Sequence, residues 1–403
     1  MTVMATTTIL FVLATTLMLM VGYQTQSTAM RTSRLRATHV ADAGISAYLY
    51  QLKSQPGSYV DAPDTGLVDV GTGESYRVIA VAPANGKPLT LYSTGSTGDG
   101  TVTIAATVRY PTFADYMFLS NMDINIGRDA VINGQVRCNA NVYNAGHITG
   151  KVTAAGTISN TGQIDQAASE HQEIASFDAV KADMDTIMTS ANGNGSYFPP
   201  SGSGYYGYRV TVSGQTVTVD KISNGTTTGN LTTTVVRSMT VPASGAFYFA
   251  DDVWVSGSYS VPLTIVSSRD IYITNNYGPS NMNSTVTGGL IAGRNIIVPS
   301  WYPSVPQAMT ITAAMLAQSG RIYAATQSGV FRNSVVINGS EAYSDANGGF
   351  ASVDQYGNVV AGFRQRTYTY DQRLDGYPPP KYPVIQDGAV KVDTWIEDNN
   401  AAQ

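Results

Sequence analysis

The carboxylates Asp123, Asp129, Asp251, Asp252 and Asp270, with the guanidinium of Arg294, are the side chains best suited to acid–base chemistry in this sequence. Cleavage of a glycosidic bond needs two carboxyl groups facing each other across the scissile bond. Here the candidates are scattered along the chain. Asp270 and Asn295 also fall at the same place in a repeat as Asp123, which points to turn chemistry instead. The histidines His39, His147 and His171 lie at metal-ligand spacing neither with one another nor with Cys138, so all three are expected to be solvated or structural. Cys138 is the only cysteine, which forbids an intrachain disulfide; between Val136 and Ala140 it reads as core filler. Asp345-Ala346-Asn347, with Glu341 or Asp354 nearby, leaves a calcium loop and an ordinary Asx turn both open, and the spacing is not that of an EF-hand. No phosphate loop, dinucleotide fingerprint, nucleophile elbow or zinc-protease motif occurs. The expectation is therefore no catalytic residue, no metal, no cofactor and no enzyme.

Composition agrees. With 13% charged residues and a net charge of −5, the chain has no basic block to track phosphates, so nucleic acid is a poor partner. Its 25 tyrosines, with abundant Thr and Asn, suit an exposed β-surface. Sequons at Asn194, Asn224, Asn230, Asn283 and Asn338 mark expected glycan-compatible loops.

The elements that must position any function begin with the apolar start. Residues 1–30 carry no charge, and Val3–Gly22 is long enough to span roughly the 30 Å of a hydrocarbon core. Arg31, Arg34 and Arg36 follow, and no Lys or Arg precedes. Read alone, that bias would place the large domain in the cytoplasm, against its polar, Gly-rich composition. The conflict disappears if a short basic leader is removed immediately before Met1; an uncleaved anchor and secretory cleavage, for example after Ala29, are the alternatives. Apolar spacing continues through Ala37, Val40, Ala41, Ile45, Tyr48 and Leu52 to a stop at Gln55-Pro56-Gly57. The pattern predicts one helix about 75 Å long, apolar all round in its first half and amphipathic in its second. Threonines 6, 7, 8, 15 and 16 can bond back to carbonyls one turn earlier.

Residues 56–112 read as a small antiparallel sheet, with strands at 75–83, 89–95 and 100–110 and a hairpin signal at 85–87. From about Ala114 a repeat appears: Phe118–Ile126 matches Ile265–Ile273, Leu290–Val298 and, more loosely, Leu316–Ala324. The last three start about 25 residues apart, the length of one coil of a right-handed parallel β-helix; a β-sandwich with regular turns is the alternative. Between Gly134 and Ile164, glycine is followed two residues later by Val or Ile, which suggests corner glycines at positive φ. The reading is an α+β chain: a long N-terminal α-helix (1–55), a small antiparallel sheet (56–112), a right-handed parallel β-helix (113–365) and a surface tail (366–403). A helical insertion at 168–191 and a loop and hairpin at 192–245 interrupt the β-helix, with the helix signal itself running from Glu170 to Ala191.

The uncharged start and the segment Ala37–Leu52, with its Ala41-Asp42-Ala43-Gly44 turn, resemble type IV pilin-like proteins, specifically the PilX-type subset. Ala5 departs from the glutamate usual at the fifth mature position. GGLIAGRNIIVP (288–299), ITAAMLAQSG (311–320) and YTYDQRLDGYPPPKYP (368–383) resemble the uncharacterised β-helical domains found behind such N-termini in bacterial surface proteins. Gly134-Gln135-Val136-Arg137-Cys138-Asn139 lacks the histidine that family tends to carry. The resemblance implies processing by a prepilin peptidase, a methylated N-terminus, residence in the inner membrane before assembly, and use of the type IV pilus machinery. It also implies a structural subunit of an extracellular cell-surface filament, built from copies of itself. The expected assembly residues are Met1, Met4, Ala5, Leu10, Phe11, Leu13, Leu17, Leu19 and Val21. The alternative is a minor tip adhesin or priming subunit that binds a surface or glycan through the β-helix.

Overall fold

The computed structural model describes residues 2–55, 61–82, 88–98, 100–128, 130–345, 349–355, 357–385 and 390–397, with side chains from Phe11 onward except Val12. The chain is α+β, one long helix followed mostly by strands, and it forms two compact units: residues 1–109 with 388–403, and residues 110–387.

In the first unit, helix α1 (Thr2–Ser54) runs unbroken for 53 residues. Thr15, Thr25, Thr28 and Thr32 each donate a hydroxyl to the carbonyl four residues earlier, as their place in a helix allows. The expected stop at Pro56-Gly57 and the hairpin signal at 85–87 lie outside the described residues. The sheet consists of β1 (Val68–Gly71), β2 (Glu74–Val81), β3 (Leu89–Thr97), β4 (Gly100–Arg109) and a strand from the far end of the chain, Lys391–Glu397. All neighbours in it are antiparallel. The region expected as a surface tail thus contributes a strand, tied by Arg109 to Asp393 at 2.9 Å with both side chains nearly buried. One face of this sheet alternates inward: Leu89, Leu91, Ile104, Ala106 and Val108 are fully buried. Ala41, Ile45, Tyr48 and Leu52 of α1 pack on them at helical spacing. Each large side chain so buried stabilises the unit by roughly 2 kcal/mol.

The second unit is built from parallel ladders. The longest runs Tyr197–Phe198, Ala246–Phe249, Leu263–Ser267, Gly288–Ala292, the second half of Ala308–Ala317 and the second half of Phe331–Tyr343. It then continues through Phe118–Ser120, Val136–Cys138, Val152–Ala154 and Ala168–Ser169. Others run beside it, among them Tyr208–Gly214 to Ile322–Ala325 and the short set Ile124–Ile126, Val142–Asn144, Ile158–Asn160. Part of the repeat seen in the sequence appears as register: Ile265 and Leu290 are partners, and Phe118 falls in the same column by way of Met315 and Glu341. Leu316, expected in line with Leu290, pairs instead with Ile291, one residue out of the expected register. Ladder order departs from chain order at Phe118–Ser120, which pairs with the strand of Glu341 on one side and of Val136 on the other.

Helix α2 (Ala179–Gly193) joins the two segments, burying Val180, Met184, Ile187 and Ala191 with the outward side chains Tyr248, Val266, Ile291 and Leu316. The helix expected from Glu170 begins nine residues later. Ala168–Ser169 still belongs to the ladder and Ile174 is 62% exposed, so of the expected apolar face Phe177 is buried ahead of the helix while Ile174 is not. Within 192–245, Thr216–Asn224 and Thr232–Thr240 pair as an antiparallel hairpin. The glycine signal at 134–164 has a different cause from the one expected. Of those glycines only Gly134 has positive φ. A Cβ on Gly150 would stand 2.3 Å from Gly134 backbone, and one on Gly162 2.0 Å from the Gly146 oxygen. These glycines are needed for close stacking of successive turns rather than for a left-handed corner.

Among the described residues no helix is both long and apolar enough to cross a membrane. The span expected from Val3–Gly22 is corrected to that extent. Residues 2–10 and Val12 contribute no described side chains, and past Leu13 the apolar run is diluted by Thr15, Thr16, Gln24, Thr25, Gln26 and Thr28.

Candidate assembly surface

Helix α1 changes character along its length. From Ala37 onward one face is buried on the sheet, while Phe11 and residues 13–32 are exposed on every side. Phe11, Leu13, Leu17, Leu19 and Val21, expected as assembly residues, are 71, 55, 57, 63 and 58% exposed. Met18, Met20, Tyr23 and Met30 are exposed with them. This half of the helix thus exposes a long run of large apolar side chains, a feature that marks candidate interaction surfaces. Met4, Ala5 and Leu10 lie on the same helix with their side chains outside the described set; Met1 lies outside the described residues.

Where the helix meets the sheet, small residues set the distance. Ser93 Oγ donates to the Ala41 carbonyl at 2.7 Å in a buried site. A Cβ on Gly44 would stand 2.3 Å from that same hydroxyl. The Ala41-Asp42-Ala43-Gly44 turn is therefore a packing motif. Asp42 faces outward and accepts from Trp395 Nε1 at 3.3 Å, and Arg34 pairs with Glu397. Both contacts fasten α1 to the last strand.

The carboxylates considered for catalysis are occupied structurally. Asp123 Oδ1 accepts from Asn141 N and Nδ2 at 2.9 and 3.1 Å, and Asn141 Oδ1 accepts in turn from Thr157 N at 3.0 Å. A second corner repeats the pattern: Asp252 accepts from Asp270 N, Asp270 from Asn295 N, and Asn295 from Arg321 N, at 2.9–3.1 Å. Arg294 spans Asp252 and Asp270 at 3.2 and 2.8 Å. Burial pushes the Asp251 carboxyl up, but hydrogen bonds from Ser201, the Asp252 N–H and Arg269 outweigh it and hold it below the usual range. Burial raises Asp252. Asp129 lies outside the described residues.

Nor does the calcium alternative come together. Asp345 pairs with Arg321 at 3.3 Å, Asp354 accepts from Asn358 N, Glu341 is fully buried, and Asn347 lies outside the described residues. No group of metal-ligating side chains occurs among the described residues. Cys138 is buried, its thiol directed at the Met122 carbonyl 3.2 Å away, and burial raises its pKa. His147 meets Asp165 at 2.9 Å, an exposed pair that lowers the Asp165 pKa. Asn194, Asn224, Asn230 and Asn283 are exposed in turns or at strand ends, whereas Asn338 sits mid-strand between Thr312 and Thr369.

Sequence reasoning missed two features. Glu341, named with Asp354 only as a neighbour of a loop that could be a calcium site or an Asx turn, is a carboxyl inside the second unit, its pKa raised by burial to about 8. The alternation of Val335, Ile337, Gly339 and Glu341 along one strand could have indicated an inward position. The second is the segment after Tyr370. There Arg373 pairs with Asp371 at 2.6 Å and donates to the Met282, Ser284 and Val286 carbonyls. Thr264 and Thr287 donate to the Pro380 and Tyr377 carbonyls, which straps the proline cluster over the long ladder.

No family model and no curated protein matches the chain. Among solved structures, the competence-associated pilin ComZ from Thermus thermophilus is similar at a TM-score of 0.34 and 12% identity, covering 91% of this chain and 98% of that one. An ice-binding protein from the Antarctic ascomycete Antarctomyces psychrotrophicus is similar at 0.23 and 12% identity, covering 58% of this chain and 93% of that one. Likeness at these scores bears on neither fold nor function.

Proposed function

We propose that this chain is a structural subunit of a type IV pilus-like extracellular filament, polymerising with copies of itself through α1. The observation that carries the reading is the division of one 53-residue helix into a half seated on its own sheet and a half exposed all round with large apolar side chains. Copies of that exposed half can bury one another in a common core, and removing such surface from water drives association at roughly 25 cal/mol per Å². Thr and Met among the bulky residues let helices adjust their contacts. We read the parallel ladders as the faces of a right-handed β-helix, which with the small sheet forms the filament's outer wall. Asp123, Asp252 and Asp270 serve corner ladders, which supports a structural role.

The test is negative-stain microscopy of filaments sheared from native cells, with mass spectrometry of their protein. Abundant filaments composed mainly of this chain support the reading. Filaments that hold it only in trace amounts favour a tip adhesin or priming subunit. Its recovery with no filament contradicts both.

A further inference from the structure

The second unit leaves strand edges open at both extremes of its ladders. At one extreme the Thr232–Thr240 strand pairs with Thr216–Asn224, and among the described residues no strand is registered on its other edge. An open edge of Thr and Val, without proline or lysine, is a template for another strand. A bulge in the pairing leaves Val235 and Val236 both exposed, at 67 and 46%. This hairpin is held firmly in place. Trp301 Nε1 donates to the Thr227 carbonyl at 3.1 Å, the Tyr302 hydroxyl donates to the Thr226 carbonyl, and Arg237 donates to the Gly195 carbonyl at 2.8 Å.

At the other extreme lies the turn of chain with Ile158–Asn160, Gln163–Ile164 and Ala168–Ser169. Each of these strands is registered on one side only among the described residues. They mix polar side chains (Ser159, Asn160, Gln163 and Ser169) with Ile158, Ile164 and Ala168, and Glu170 accepts from one edge donor, the Ile158 N–H, at 2.6 Å. The extremes differ in charge. The hairpin carries Lys221 and Arg237, with Asp220 already paired to Arg209, whereas the terminal turn carries Glu170 and Glu173, with Asp165 already paired to His147.

From the open edges and the complementary charge we infer that the Thr232–Thr240 edge of one copy docks on the terminal 158–173 turn of a second copy. The two surfaces differ, so the contact is head-to-tail and repeats without closing. It rests on the filament reading for its strength: a strand edge against one turn is too small to hold a dimer alone, and α1 supplies the effective concentration.

Hydrogen exchange on the full-length chain tests this, comparing assembled filaments with unassembled subunits. The expected result is exchange slower by about tenfold or more at both Thr232–Thr240 and 158–169 in filaments. Val236→Lys should abolish the slowing at both places while α1 stays protected. Protection of one extreme alone, or of neither while α1 is protected, overturns the docking and leaves the filament reading standing. An α1 that exchanges alike in both samples counts against the filament reading. If the two extremes still protect each other in concentrated solution, the docking stands without it.

Discussion

Gly95 lies so close to helix α1 that a Cβ built on it would stand 2.2 Å from the carbonyl oxygen of Ala37. The same atom would be 2.4 Å from the Ala41 nitrogen. Helix backbone cannot yield as a side-chain tip can, so Gly95→Ala must lift α1 from β3. We expect a loss of about 1–3 kcal/mol from the first unit. Denaturant unfolding should show it, together with faster proteolysis near Lys53. Ala43→Ser, on the turn's outer side, should change neither.

Asp270 links two turns of chain by accepting both the N–H and the side-chain amide of Asn295, at 2.9 and 3.0 Å. Asp270→Ala leaves that N–H unpaired and should cost about 1–3 kcal/mol. Asp270→Asn keeps an acceptor oxygen and should cost less. Urea unfolding of both variants would check the order; equal losses would argue against a corner role.

Glu341 gives the second unit a pH dependence of definite sign. Its folded pKa is raised from 4.5 to about 8, and burial is the cause. Tyr343 and Tyr368, the titratable neighbours that feel its charge, have pKa values raised far above the usual range by burial. The protonated carboxyl fits the interior. Its stabilising contribution is full below the ordinary carboxylate range and is lost as pH rises toward 8. Glu341→Gln removes this loss. The variant should unfold like the parent near pH 4 and be more stable at pH 9, by an amount on the order of 4 kcal/mol. Thermal unfolding against pH reads this directly.

Features fixed by local chemistry were legible in the sequence. The apolar spacing of Ala41, Ile45, Tyr48 and Leu52 is a property of one helix; the Asp123/Asp270/Asn295 repeat was visible as a repeat, but its side chains bridge successive turns of chain instead of closing one turn. Long-range closure was not legible. No local signal says that Phe118–Ser120 pairs with Tyr343, or that the last strand, with Asp393, returns to Arg109, because both depend on contacts more than two hundred residues apart in sequence. The glycines at 146–162 were visible, but their reason was not. Stacking on a neighbouring turn leaves the same sequence mark as a positive-φ corner. The apolar run that includes Leu17 and Leu19 was legible because it is a property of the local sequence; their exposure, at 57 and 63%, is what the structure adds.

The most direct test of the central claim is a single charge on the exposed half of α1. Leu17 is 57% exposed in the subunit, so Leu17→Asp should change its stability by no more than about 0.5 kcal/mol. Within a core of packed helices the same carboxylate would be buried without a partner, at a cost of several kcal/mol. Filament yield by microscopy and sedimentation should fall to background in Leu17→Asp, with the thermal unfolding of both units unchanged. Normal filaments from that variant would contradict assembly through α1.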